Sequence, residues 1–211
     1  MIEYLRDPAA IYRQSFATIR AERPLDALAP DHAALALRIA HACGMVDAID
    51  TLAMTANVVA AARNALANGA PILCDASMVV HGIIRKRLPN ADAPVCIVDE
   101  AETAALALAM ATTRSAAAVD RWGARLDGAV VAIGNAPTAL FRLLETVDAG
   151  GPRPAALFAF PVGFVGAVES KAELVANPRG LEFATLPGRR GGSAMAAAAI
   201  NALFGNPEAM P

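Results

Sequence analysis

Lysine is nearly absent from this chain of 211 residues: Lys86 and Lys171 are the only two among 18 cationic side chains, and arginine supplies the rest. The planar fork of arginine suits carboxylates and phosphates, although a GC-rich genome, which favours alanine and arginine codons together, accounts for the bias without selection. Cysteine is scarce too. Cys43, Cys74 and Cys96 are odd in number, lack CxxC spacing and each lie in an apolar segment. They read as buried thiols of a reducing compartment, which excludes a disulfide framework and a structural zinc site. No apolar run approaches the ~20 residues of a spanning helix, so no membrane is expected. The stretch from Met1 to Asp7 carries Glu3, Arg6 and Asp7 ahead of any apolar run and does not resemble a secretory signal. A net charge of −2 lacks the basic footprint of a nucleic-acid binder. Linkers rich in Pro, Gly or Ser, blocks of like charge and shifts of composition are missing as well. These absences predict one cytoplasmic domain over residues 1–211.

What is present is apolar and rich in alanine. Hydrophobic residues make up 56% of the chain and charged residues 18%, enough for a substantial core. Strand-length apolar runs alternate with helical patterns, as in βαβ units. This predicts a three-layer α/β/α fold, with a mostly parallel sheet of about five strands behind a helical N-terminal third. Asp7 and Pro8 read as the N-cap and first-turn proline of a helix to about Arg20. Pro30 and Asp31 open a second helix that ends near Gly44, and Thr55 opens a third closed by Asn68 and Gly69. Strands are expected at 71–74, 95–98, 129–133, 155–160 and, more weakly, 182–186. Asp75 is placed to cap the helix after the first of these, and Asp99 and Glu100 stand at the start of the next. A last helix begins near Gly192 and Ser193, and the tail after Phe204 carries no readable signal.

In such a sheet ligands bind beyond the carboxyl ends of the strands, which singles out Asp75, Asp99, Gly134 and Asn135, and the loops 161–166 and 188–193. Gly188-Arg189-Arg190-Gly191-Gly192-Ser193 could hold an anion on backbone N–H groups and two guanidiniums, or be a tight turn with exposed arginines. It lacks the Lys-Ser/Thr pair of a P-loop and the Gly-x-Gly-x-x-Gly of a dinucleotide site. Asn135 could contact a ligand or cap the helix that Pro137 opens. The apolar loop 161–166 suits a flat hydrophobic ligand, or is an ordinary buried connection.

Of three histidines, His32 and His81 are expected at the surface. His41 differs. Leu35, Ile39 and Ala42 form an apolar stripe with Arg38 and His41 along its edge, which sets guanidinium and imidazole side by side at the border of core and cleft. The plain alternative is a cationic pair at a helix C-terminus, where the macrodipole favours positive charge. Cys43, two residues on, points elsewhere on the helix, so a Cys–His nucleophile fails on geometry.

Tyr12-Arg13-Gln14-Ser15-Phe16, Arg38-Ile39-Ala40-His41-Ala42-Cys43-Gly44 and Pro71-Ile72-Leu73-Cys74-Asp75 resemble the precorrin-8X methylmutase family. So do Thr113-Arg114-Ser115-Ala116, the run from Ala132 through Asn135 to Leu140, Pro161-Val162-Gly163-Phe164-Val165-Gly166, and the glycine-rich stretch at 188–193. The segments run in order over nearly the whole chain. The resemblance implies an isomerase of cobalamin biosynthesis that moves a methyl group from C-11 to C-12 of precorrin-8X to give hydrogenobyrinate. The shift is intramolecular, so no cofactor and no metal are implied. By the same resemblance His41 is the acid/base residue, Ser15 and Arg38 contact substrate and Arg114 binds a carboxylate, while His81 matches none of the family's motifs. A corrinoid (tetrapyrrole) substrate and product and a homodimer are the implied partners. Alternatives are a cobalt-precorrin-8 methylmutase of the anaerobic route, and a tetrapyrrole carrier without catalysis. A doubly wound oxidoreductase is disfavoured by the missing phosphate motif.

Overall fold

Two proline-led helices open the chain. Asp7 accepts the N–H groups of Ala9 and Ala10 at 3.2 Å each, and Pro8 takes the first turn of α1 (Pro8–Glu22). Helix α2 (Pro30–Cys43) ends on Gly44, whose φ of 69° gives the left-handed cap expected of a glycine there. There follow α3 (Ala48–Thr51), β1 (Ala53–Met54), α4 (Val58–Ala67), β2 (Ile72–Cys74), α5 (Ser77–Gly82), α6 (Ala101–Ala109) and α7 (Arg114–Trp122). The chain then alternates through β3 (Val130–Ile133), α8 (Pro137–Asp148), β4 (Ala156–Ala159), α9 (Ala167–Ala176), β5 (Phe183–Thr185) and α10 (Ser193–Ala202). The computed structural model describes residues 2–89 and 94–204; the tail after Phe204 lies outside them.

The sheet has the order β1-β5-β4-β3-β2, parallel throughout except for antiparallel β1. Successive strand residues point to opposite faces, and the two faces build two cores. Ile72, Cys74, Val130, Ala132 and Phe158 pack with Leu35 and Ile39 of α2 and with α4, α5 and α10. Leu73, Val131, Ile133, Leu157 and Phe183 pack with Trp122 of α7, Leu140 and Leu143 of α8 and Leu174 of α9. The result is the three-layer α/β/α fold. Helix α1 does not reach the sheet. Its Phe16 and Ile19 bury against Ala36, Leu37 and Ala40 on the outer side of α2, so α2 lies between the core and α1.

Several local expectations need correction. Residues 95–98 form no strand. Only Val95 bridges to Leu73, because the Ile97 carbonyl accepts the Thr103 hydroxyl at 2.6 Å and the Glu100 N–H at 3.3 Å, turning the chain away. The fifth strand is β1. Thr55 continues that edge instead of opening a helix: its N–H donates to the Phe183 carbonyl at 2.9 Å and its hydroxyl to the Glu182 carboxylate at 2.5 Å. Cys43 and Cys96 are half-buried, and only Cys74 is fully enclosed. His32 is half-buried, whereas His81 is exposed.

The strand ends converge tightly. A Cβ on Gly191 would collide with the carbonyl oxygens of Phe160 and Pro161, and one on Gly134 would come within 2.7 Å of the Ser193 Cα. Close backbone approach, more than turn geometry, explains these two glycines.

Candidate active site

Tyr12, Ser15, Phe16 and Ile19 share one face of α1 by their i, i+3, i+4, i+7 spacing. Docking that face on α2 brings Ser15 to His41: Ser15 Oγ and His41 Nδ1 are 2.8 Å apart. The imidazole lies 5.2 Å from the Tyr12 ring and 5.1 Å from the Phe16 ring, edge-on to the latter. The Arg38 guanidinium lies over the same two rings, 5.7 Å from Tyr12 and 5.4 Å from Phe16. Such cation–π contacts favour a desolvated arginine. Arg38 was expected at the border of core and cleft, but it is only 5% exposed. Among the described residues its side chain forms no hydrogen bond and no ion pair. Burial, and then the Arg38 charge, hold His41 below its ordinary value of 6.5.

His41 lines two hollows. One, of about 410 Å³, includes Gln14, Ser15, Thr18 and Val46. The other, of about 280 Å³, includes Tyr12, Arg38, Ile84, Ala194 and Asn201. Asn201 on α10 braces the wall of the second: its amide donates to the Gly82 carbonyl at 2.9 Å and accepts the Ile84 N–H at 2.8 Å.

Arg114 lies elsewhere. It shares a hollow of about 440 Å³ with Asp75, Ser77, Met78, Asp99 and Asn135, and pairs with Asp99 at 3.4 Å in an exposed contact. Helix α5 stands between this hollow and that of Arg38, lining one with Ser77 and Met78 and the other with Gly82. Asp75 does not cap the helix after its own strand. Its buried carboxylate accepts the N–H groups of Gly134, Asn135 and Ala136 at 2.8, 2.9 and 2.7 Å, holding the turn that leads into α8. The N-cap of α8 is Ala136, so Asn135 does not cap that helix. Burial pushes the Asp75 carboxyl up, and the three N–H bonds oppose that rise.

The glycine-rich loop is likewise held internally. Arg190 pairs with Asp47 at 2.6 Å, the fully buried Lys171 donates to the Arg190 carbonyl at 2.6 Å, and Gly192 N–H donates to the Phe160 carbonyl at 2.8 Å. Among the described residues the Arg189 guanidinium has no ion pair, and it lies 5.3 Å above the Phe164 ring. Phe164 and Val165 are 84% and 88% exposed, so the loop 161–166 presents an apolar shelf and is no buried connection.

The site thus belongs to an α/β protein and sets a half-buried imidazole beside a buried guanidinium and apolar surface. Among the described residues no group of three or more His, Cys, Asp or Glu side chains could hold a metal ion. The family model for precorrin-8X methylmutase matches residues 10–205. A precorrin-8X methylmutase of Pseudomonas aeruginosa is 58% identical over 203 residues, covering 96% of this chain and 98% of its own. A cobalt-precorrin-8 methylmutase of Salmonella typhimurium is 36% identical, covering 96% and 97%. The crystal structure of the precorrin-8X methyl mutase from Thermus thermophilus is similar with a TM-score of 0.81 at 32% identity, over 92% of this chain and 95% of that one. The chain belongs to the precorrin-8X methylmutase family.

Sequence reasoning missed Tyr12 and Phe16 as the aromatic walls of the site, and Asn201 as its brace. The α1 spacing carried the signal for the first two. Nothing local marks Asn201, whose partners lie more than a hundred residues away.

Proposed function

We propose that this isomerase moves the methyl group of metal-free precorrin-8X from C-11 to C-12, giving hydrogenobyrinate, with His41 as the acid. The observation that carries the assignment of His41 is the 2.8 Å contact between Ser15 Oγ and His41 Nδ1. It engages one ring nitrogen and leaves Nε2 for substrate. With the Ser15 hydroxyl donating to Nδ1, the neutral ring keeps its proton on Nε2, the tautomer that can hydrogen-bond to the macrocycle. Ser15 is thereby a positioning residue. A substrate carboxylate against Arg38 offsets the charge that depresses His41 and restores its tendency to protonate. The metal-free substrate is favoured by the 58% identity to a precorrin-8X enzyme, against 36% to a cobalt-precorrin-8 enzyme.

The reading includes a cytoplasmic homodimer. The separation of Arg114 from His41 within one chain, and the exposed shelf at Phe164 and Val165, support a broad site that a second chain completes. Incubation of the protein with metal-free precorrin-8X should yield hydrogenobyrinate by its visible spectrum, with the pigment co-migrating with protein on gel filtration. Binding without spectral change would favour a carrier, and free elution of the pigment would count against both.

A further inference from the structure

We infer that Asn201 is a positioning residue of the reaction: it holds the chain at Gly82–Ile84 against α10 and so sets one wall of the hollow that Arg38 and His41 share. The inference rests on reading the His41 hollows as the corrinoid site, and it adds a residue that the family motifs quoted above do not include.

The hollow of about 280 Å³ is built on α10. Ala194, Ala197, Ala198 and Asn201 share one face of that helix by their i, i+3, i+4, i+7 spacing, and all four line the hollow. Three of them are alanines, so the floor is smooth and apolar, and Asn201 is the one polar side chain that α10 brings to it. Both ends of its amide are used inside the protein. Nδ2 donates to the Gly82 carbonyl at 2.9 Å, and Oδ1 accepts the Ile84 N–H at 2.8 Å. These two groups flank Ile83, the residue at which α5 ends, so one side chain grips the exit from that helix on either side. Gly82 and Ile84 line the hollow as well. A Cβ on Gly82 would come within 2.7 Å of the Ala197 Cβ. The chain therefore lies directly on α10 here, and a glycine permits that approach.

Position, more than stability, is what these bonds supply. Gly82 is exposed, so water can satisfy its carbonyl when Asn201 is replaced, and the fold gains little from that bond. Helix α10 packs against α2 as well as α5, and α2 carries Arg38 and His41. It is the common base from which both sides of the hollow are measured. Arg38 marks the hollow as a place that receives a ligand: it lines the space, is only 5% exposed and has no side-chain partner among the described residues. A buried cation in that state is relieved by an anion, and the substrate bears many carboxylates. The macrocycle is broad and stiff, so it cannot follow a wall that shifts. A displacement of about 1 Å removes contacts and loosens the placement of the substrate.

The test compares wild type with Asn201→Ala, Asn201→Leu and Gly82→Ala, using precorrin-8X for turnover and hydrogenobyrinate, titrated by absorbance, for binding. Asn201→Ala should raise KM and the product Kd together by about 5- to 10-fold, the scale of one or two ordinary hydrogen bonds. The wall meets substrate and product alike while Ser15 and His41 are untouched, so kcat should stay within about 3-fold of wild type. Asn201→Leu, close to asparagine in size but unable to form either bond, should match Asn201→Ala. Gly82→Ala keeps the Asn201 side chain and wedges the wall off Ala197, so KM and Kd should rise there as well. Unchanged KM and Kd in Asn201→Ala overturn the inference. So does recovery by Asn201→Leu, which assigns the residue to packing, or a lower melting temperature with wild-type constants, which leaves it a purely structural role. Wild-type protein that neither converts precorrin-8X nor binds hydrogenobyrinate removes the corrinoid reading itself, and this inference with it.

Discussion

At the scale of single residues, the site depends on a histidine whose surroundings oppose its charge. Burial and Arg38 both hold His41 below 6.5 in the free protein, and a bound carboxylate at Arg38 removes part of that effect. Activity that requires the imidazolium falls as pH rises through the His41 value. The falling limb of kcat/KM, which reports the free enzyme, should therefore lie at lower pH than that of kcat, which reports the complex. Coincident limbs would show that substrate charge does not reach His41. In Ser15→Ala kcat should fall with KM little changed, because the variant loses the orientation of the ring and keeps the arginines. The Arg38–His41 pair was legible from the stripe on α2. The near-complete burial of Arg38 was not, because that depends on α1 laying Tyr12 and Phe16 over it.

Elements position the site through contacts that no local pattern reveals. The three main parallel strands of the predicted sheet, β2, β3 and β4, were readable as apolar runs between turn residues, and the proline and glycine boundaries of α1 and α2 were readable from capping chemistry. Two-residue β1 has no period to read, and Asp75 serves a turn 60 residues on because β2 and β3 are neighbours in the sheet. Lys171 is a further case. Buried in α9 under the glycine-rich loop, it donates to the Arg190 carbonyl, and burial lowers its pKa to about 8 from an ordinary 10.5. Between those values the unfolded chain binds more protons at this position than the folded one, so its contribution to stability rises with pH from about 8 to 10.5. Denaturant titrations at pH 7.5 and 10 should show wild type gaining on Lys171→Met over that interval. A constant difference between the two would place the ammonium in water.

For the molecule as a whole, the layers and their order separate two jobs. The two cores on either face of the sheet hold the strand ends together, and the imidazole sits at the end of α2, whose inner side joins one core and whose outer side carries α1. A change at His41 should therefore reach the chemistry without reaching the fold, since the residue is half-buried and Ala is the best helix former. The most direct measurement of the central claim is single-turnover conversion of metal-free precorrin-8X by wild type and by His41→Ala, with product binding measured on the same samples. The account predicts that turnover falls about 10²–10⁴-fold, as for loss of a general acid, while hydrogenobyrinate still binds and the melting temperature holds. Near wild-type turnover by His41→Ala would contradict it and leave His41 as a cation at the end of a helix.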